Sequence, residues 1–162
     1  MAKEKIQKTN AARLLDRAGV DYRLVSYTVD PDNLAATHVA EQLGEDIATV
    51  FKTLVLTSGP SQYFVCVVPG DAEVDLKKAA AAAGVKKAEM LHMKDLLSVT
   101  GYIRGGCSPI GMKKPLPTFF HRTATDHPLI YISAGVRGLQ IHAAPQALID
   151  YVGATTADLI KS

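Results

Sequence analysis

The sequence predicts a single domain of the α+β class, spanning residues 1–162, and three observations support this. Two strand patterns, at residues 50–57 and 62–68, flank the turn-forming run SGPS and predict a hairpin. The other elements lack the regular strand–helix–strand alternation of a doubly wound sheet. A chain of 162 residues, 48% hydrophobic and 21% charged, is typical of one globular domain with its own core.

The remaining elements follow from apolar periodicity and from residues that begin or end helices. Helices are predicted at residues 11–18, 34–43, 76–83, 93–99 and 145–151. Glycines at positions 19, 44 and 84 end the first three of these helices. Further strands are predicted at residues 22–27, 118–121, 129–132 and 139–142. Residues 101–117 show no periodicity, which is typical of a functional loop or of disorder.

Bulk properties limit the classes of function. A formal net charge of +2 is small for a protein that holds nucleic acid through phosphates alone, so an RNA ligand would need local contacts or a partner protein. Cys66 and Cys107 fit neither a zinc pattern nor a disulfide framework, which favours the reducing cytoplasm. No apolar run approaches the roughly 20 residues that span a bilayer. The charged N-terminus, residues 1–8, does not resemble a signal peptide, so we expect no membrane partner.

Lys52 is the first candidate functional residue. It interrupts a strand pattern, and its side chain shares a face with the aliphatic Val50, Leu54 and Leu56. An ammonium group among apolar side chains must reach water or meet a partner, because an unpaired buried charge is too costly. One interpretation is a cleft that admits an anionic or polarised ligand. The other is an edge-strand lysine that extends to solvent and blocks aggregation.

The glycine loop, defined here as residues 100–111, reads TGYIRGGCSPIG. Its four glycines allow positive φ angles and close approach of the backbone to a ligand, and free N–H groups in such turns can form an anion nest. The spacing is not that of a nucleotide-binding P-loop. A purely structural Ω-type loop across the end of the sheet is the alternative.

Two further groups of residues suggest a binding site. Ser133 and Gly135 lie between two short strands, where they either line a pocket with Arg137 near an anion or simply form a hairpin turn. Lys113 and Lys114 follow the glycine loop and are candidates for contact with a tRNA backbone. The alternative is that they simply lie on a solvent-exposed face, as such basic pairs usually do.

Nucleophilic and metal-dependent chemistry receive little support. Cys107 would need a neighbour that lowers its pKa, and the sequence shows none, so a buried apolar role is favoured. No Gly-x-Ser-x-Gly elbow is present. The histidines form no metal-binding pair, so neither a metal nor a cofactor is expected; they stand at His38, His92, His121, His127 and His142.

Three segments occur together in one known family: FKTL at 51–54, the glycine loop, and SAGVRGL at 133–139. In this order they resemble the YbaK family of trans-editing deacylases, relatives of the editing domain inserted in bacterial prolyl-tRNA synthetase. The likeness covers residues 11–152, and the GGxSP form of the loop resembles the Cys-tRNA(Pro) branch. The resemblance implies a mixed fold whose mainly antiparallel sheet curls into a partly closed barrel packed by helices.

The resemblance also implies roles for single residues. Lys52 matches the family's essential lysine, which would hold the terminal phosphate–ribose end or stabilise developing negative charge. Backbone N–H groups around Gly105 and Gly106 would form an oxyanion site, and Ser133 would orient the amino acid. The predicted substrate-binding residues are Tyr27, Phe51, Thr53, Gly101, Gly105, Gly106, Ser108, Ser133 and Gly135.

The implied reaction is hydrolysis of Cys-tRNA(Pro), in which the substrate's own thiol attacks its ester and leaves a thiolactone. The implied partners are the aminoacylated end of tRNA and prolyl-tRNA synthetase. Three alternatives stay open: an Ala-tRNA(Pro) deacylase of the sister branch, a noncatalytic module that binds tRNA or a synthetase, and a hydrolase of small esters that depends on Cys107.

Overall fold

The structure is a computed structural model that describes residues 7–162, so most of the charged N-terminal segment lies outside the described residues. Within this range there are five α-helices: α1 (Asn10–Ala18), α2 (Ala36–Leu43), α3 (Leu76–Ala83), α4 (Leu96–Thr100) and α5 (Pro145–Val152). The strands are β1 (Tyr22–Ser26), β2 (Phe51–Gly59), β3 (Gln62–Pro69), β4 (Glu89–Met90), β5 (Thr118–His121), β6 (Ile130–Ser133), β7 (Leu139–Ala143) and β8 (Thr155–Ala157). This composition confirms the predicted α+β class.

Local side chains define the helix ends. Asp75 begins α3, because its carboxylate accepts hydrogen bonds from the Lys77 and Lys78 N–H groups, each at 3.0 Å. Helix α3 ends at Gly84, which takes a left-handed φ of 71°. Helix α2 differs, since Ala35 at its start provides no side-chain cap. The first N–H groups of α2 are therefore available to another acceptor.

Two sheets contain all the strands of the described residues. The smaller sheet has the order β1-β7-β6 and is antiparallel throughout. The larger sheet has the order β4-β2-β3-β5-β8, with the predicted β2–β3 hairpin at its centre and parallel pairing at β3–β5 and β5–β8. A single bridge, between Val50 and Tyr131, connects the sheets. Residues 7–162 form no closed barrel, so the barrel-like curl is not confirmed.

The faces of β2 pack against different parts of the molecule. Phe51 and Val55 belong to the main core, which lies between the sheets, whereas Leu56 packs with the cluster beneath α3. Val50 joins a third cluster with Tyr131 and residues of α2. Lys52 thus sits on β2 where the larger sheet, the smaller sheet and α2 meet. Every α-helix among residues 7–162 has nine residues or fewer, too few to span a bilayer.

Candidate active site

A cavity of about 340 Å³ lies at this junction, and we call it the Lys52 cavity. Its walls come from the start of β2, the N-terminal end of α2, the glycine loop, and the neighbouring ends of β6 and β7. It brings together six residues that the sequence predicted for the site, namely Tyr27, Phe51, Lys52, Thr53, Gly105 and Ser133. Tyr27, Gly105 and Ser133 are distant in the sequence from one another and from residues 51–53, so only the tertiary fold makes these segments neighbours.

The ammonium group of Lys52 lacks a counterion in this cavity. The side chain is half-buried, and burial lowers its pKa, although the charges of Asp71 and Glu73 oppose that shift. Within residues 7–162, Lys52 takes part in no salt bridge, and no aspartate or glutamate lines the cavity. A partly desolvated cation without a paired carboxylate favours an anionic or polarised ligand.

The N-terminal end of α2 adds to this positive character. Ala35 and Ala36 line the cavity, and the uncapped N–H groups at the start of the helix carry partial positive charge. Gly70, directly after β3, permits the start of α2 to pack close to the backbone there, because a Cβ atom on residue 70 would lie 2.5 Å from the Cβ of Ala36. The sequence gives no sign of this role for Gly70, since a glycine after a strand indicates only a turn.

Two buried polar atoms in the cavity walls have no hydrogen-bond partner among the described residues. They are the Oγ1 atom of Thr53 and the Oε1 atom of Gln140, and both residues line the cavity. Gln140 lies directly opposite Ser133 in the β6–β7 register, so their side chains share one face. Gln140 was not among the residues predicted for the site. The available signal was a polar residue between the apolar Leu139 and Ile141 of a short strand.

The glycine loop is hydrogen-bonded to, and packs against, the turn between β6 and β7. The Nε–H group of Arg137 donates to the carbonyl oxygen of Arg104 at 2.8 Å. Gly106 fits closely, because a Cβ atom there would lie 3.1 Å from the Cα of Val136. The Tyr102 hydroxyl donates to the Ile110 carbonyl oxygen and closes the loop. The two segments singled out in the sequence therefore form one structural unit.

Four predicted substrate-binding residues lie outside the lining of the Lys52 cavity, and their direct contact with substrate stays a prediction. Gly101 ends α4 with a φ of 84°. The buried hydroxyl of Ser108 accepts a hydrogen bond from the Ile110 N–H at 3.2 Å. A Cβ atom on Gly135 would lie 2.9 Å from the Tyr102 ring. With Gly106, these residues shape the loop that forms one wall of the cavity.

The backbone donors of the glycine loop differ in availability. The Gly106 N–H donates to the Ile103 carbonyl at 2.9 Å, so it is already engaged. The N–H groups of Gly105 and Cys107 have no backbone acceptor within residues 7–162, and both residues line the cavity. An oxyanion site in this loop would therefore use Gly105 and Cys107 instead of Gly106.

Cys107 contributes a thiol, not a thiolate, to the cavity wall. Burial raises the pKa of its thiol to about 12, and the nearby Thr100 side chain only partly offsets this shift. A cysteine nucleophile requires a lowered pKa, which this environment does not provide. Among the described residues, no group of three or more histidine, cysteine, aspartate or glutamate side chains is arranged to hold a metal ion.

The predicted tRNA-contacting residues lie apart from Lys52. Lys113 and Lys114 are exposed and line a separate cavity of about 670 Å³, bordered by the end of α3 and the β2–β3 turn. Arg137 also lies outside the lining of the Lys52 cavity, because its guanidinium holds the glycine loop. Contact of these three residues with tRNA stays a prediction.

Comparison with known proteins identifies the family. The family model of the aminoacyl-tRNA editing domain matches residues 30–151. The chain is also 48% identical over 160 residues to EbsC of Enterococcus faecalis, covering 98% of each protein. EbsC is named as a candidate Cys-tRNA(Pro)/Cys-tRNA(Cys) deacylase. The chain therefore belongs to the aminoacyl-tRNA editing domain family, which confirms the resemblance seen in the sequence.

Two further matches are a ligase and a solved structure. A proline–tRNA ligase of Trichlorobacter lovleyi is 28% identical over 111 residues, which cover 68% of this chain and 19% of the ligase. A solved structure, of a candidate trans-editing enzyme for prolyl-tRNA synthetase, matches with a TM-score of 0.81 at 24% identity. That match covers 96% of this chain and all of the other, and it supports the fold.

Proposed function

We propose that the protein is a trans-editing hydrolase that removes cysteine from mischarged Cys-tRNA(Pro). The observation that carries the proposal is the half-buried ammonium of Lys52, which has no carboxylate partner within its cavity. The 48% identity to EbsC over nearly the full length supports the same substrate class. A cavity of about 340 Å³ is at the small end of ligand pockets and suits the terminal aminoacyl group of a tRNA.

In this proposal the positive wall of the cavity positions the ester. Lys52 and the N-terminal end of α2 attract the terminal phosphate or the charge that develops on the ester oxygen. The free N–H groups of Gly105 and Cys107 can donate to the same oxygen. Holding the reacting groups in place lowers the entropic part of the barrier, which suits a site without a triad.

The substrate supplies its own nucleophile. The cysteine thiol loses its proton to solvent, and its sulfur attacks the ester carbonyl carbon to form a C–S bond. The C–O bond to the terminal ribose then breaks, and the ribose oxygen takes up a proton as tRNA leaves. Water opens the resulting thiolactone and releases free cysteine. Lys52 stabilises the oxyanion throughout the first step, and Ser133 orients the amino acid.

The whole chain, residues 1–162, acts as one editing domain in the cytoplasm in this proposal. Its formal net charge of +2 provides little general attraction to RNA, so prolyl-tRNA synthetase is the partner expected to supply tRNA affinity. The exposed Lys113 and Lys114 and the loop-bound Arg137 are the proposed contacts with the tRNA backbone. Substitution of the exposed pair is expected to weaken tRNA binding without changing the chemistry.

The direct test is ester loss from Cys-tRNA(Pro), Ala-tRNA(Pro) and S-methylcysteinyl-tRNA(Pro), measured with purified protein. Rapid release of cysteine with slow release of alanine is expected. Preferential release of alanine would move the protein to the sister branch, and release of neither would leave a noncatalytic tRNA-binding module. Turnover of the S-methylated ester at the rate of the cysteine ester would reject attack by the substrate thiol.

A further inference from the structure

Gln140 is a buried polar side chain of the Lys52 cavity to which the proposed reaction assigns no task. The residue is 5% exposed, and its Oε1 atom has no hydrogen-bond partner among the described residues. Thr53, which also lines this cavity, has a second buried oxygen without a hydrogen-bond partner among the described residues, Oγ1. Buried polar groups in native proteins are almost always hydrogen-bonded, so two exceptions in one cavity point to a ligand that pairs them.

We propose that Gln140, together with Thr53, binds the α-amino group of the aminoacyl ester and makes a free α-amino group a requirement for fast deacylation. The inference rests on the proposed function, since it assumes that an aminoacyl-tRNA end occupies the Lys52 cavity. It adds a specificity determinant that recognises every amino acid by its common amine, separately from the recognition of its side chain.

The chemistry of Gln140 limits the choice of ligand group. A carbonyl oxygen accepts hydrogen bonds and cannot donate them, so its partner must be a donor. The aminoacyl group of Cys-tRNA and its ribose offer three donors: the α-amino group, the free ribose hydroxyl and the thiol. The thiol is a weak donor and serves as the nucleophile in the proposed reaction. The amine and the ribose hydroxyl remain.

Burial distinguishes these two donors. Gln140 and its neighbour Ser133 are only 5% and 8% exposed, whereas Lys52 is more accessible to solvent. The polynucleotide must leave through the mouth of the cavity, so the terminal amino acid enters deepest and the ribose stays nearer the solvent. An acceptor at the buried end therefore meets the α-amino group.

The charge of the cavity is consistent with neutral acceptors for the amine. A carboxylate at this position would attract the amine strongly, but it would also pair with the nearby ammonium of Lys52. Such a pair would remove the positive charge that the ester oxygen requires. The amide of Gln140 and the hydroxyl of Thr53 accept hydrogen bonds without adding a negative charge, so both the amine site and the Lys52 site can operate.

The experiment compares two esters on the same tRNA(Pro): cysteinyl and 3-mercaptopropionyl, which keeps the thiol but lacks the α-amino group. Each kcat/KM is divided by the rate of spontaneous hydrolysis, because the amino group itself activates the ester. The wild-type protein is expected to prefer the cysteinyl ester by about tenfold, the usual effect of one hydrogen bond lost from a buried site. Gln140→Met is similar in size but replaces the amide oxygen with a weakly accepting thioether, so it is expected to lose that preference by slowing on cysteinyl-tRNA alone.

The control is Gln146→Met, the same exchange on the exposed face of α5, which is expected to leave both rates unchanged. Thr53→Val provides a second variant of conserved shape with the same expected selective loss, should Gln140→Met fold poorly in thermal melts. Equal slowing of both esters by both variants would overturn the inference, since a merely structural role predicts that result.

A third substrate, cysteinyl-tRNA(Pro) ending in 2′-deoxyadenosine, tests the competing donor. The effect of Gln140→Met is expected to persist on this substrate, and its disappearance there would assign Gln140 to the ribose hydroxyl and overturn the inference. Wild-type protein that releases cysteine but shows no preference for the α-amino group would refute the inference alone. Wild-type protein that releases no cysteine would refute the proposed function and the inference together.

Discussion

Replacement of Lys52 by methionine removes the charge of the proposed site while preserving most of the side-chain volume. Two unit charges about 4 Å apart interact by about 4 kcal/mol at an effective dielectric constant of about 20. Loss of one oxyanion donor in a known enzyme costs about 10²–10³ in kcat, which is a similar free energy. For a half-buried lysine without a carboxylate partner in its cavity, we expect kcat to fall by about 10²–10³.

The assay is single-turnover release of cysteine from Cys-tRNA(Pro), corrected for spontaneous hydrolysis. Lys86→Met is the matched control, because Lys86 is an exposed lysine outside the Lys52 cavity. It is expected to retain wild-type turnover. Lys52→Arg separates charge from geometry: the cation remains, but its planar guanidinium cannot occupy the position of a compact ammonium, so only partial activity is expected.

A thermal melt shows whether any loss of activity reflects unfolding. Burial lowers the pKa of Lys52, so the charged form is less favourable in the folded state than in the unfolded chain. Lys52→Met removes that cost and is expected to leave the melting temperature unchanged or higher. Turnover within about threefold of wild type in a folded Lys52→Met protein would refute the electrostatic role of this lysine.

Three further predictions concern the same site. Cys107→Ala is expected to retain most deacylation activity, because a thiol with a pKa of about 12 is not a nucleophile at neutral pH; a loss as deep as that of Lys52→Met would contradict this. Gly106→Ala is expected to lower both melting temperature and turnover, since the new Cβ would lie 3.1 Å from the backbone of Val136. Gly19→Ala is the control: a Cβ there meets open space, but its φ of 71° is left-handed, so the change should cost about 1 kcal/mol of stability and spare activity. Turnover above spontaneous hydrolysis is expected to decline as pH rises through the lowered pKa of Lys52, which deprotonates it before an ordinary lysine; a profile without this decline would argue against a catalytic ammonium.

Short-range signals account for the part of the fold that the sequence predicted well. The capping of α3 by Asp75 and its end at Gly84 depend on backbone geometry within a few residues. The β2–β3 hairpin depends on two alternating patterns around a turn. Strands β4 and β8 were missed because they have only two and three residues, too few to show a period. Their pairing is specified by neighbours distant in the sequence.

The features of the site likewise divide into those that the sequence predicted and those that depend on tertiary packing. The sequence by itself determined that a lysine on β2 shares a strand face with aliphatic residues. It also showed that residues 101–117 lack helix or strand periodicity, and that three motifs in this order resemble editing deacylases. Those properties are local, or they follow from the order of the motifs.

Only the tertiary structure decided which side chains face the Lys52 cavity. It placed Gln140 beside Ser133 through strand register, engaged Arg137 in holding the glycine loop, and separated Lys113 from Lys52. The physical reason is that the partial burial of Lys52, its lack of a counterion and the unpaired oxygen of Gln140 all arise from the packing of chain segments far apart in sequence. No local pattern specifies that packing.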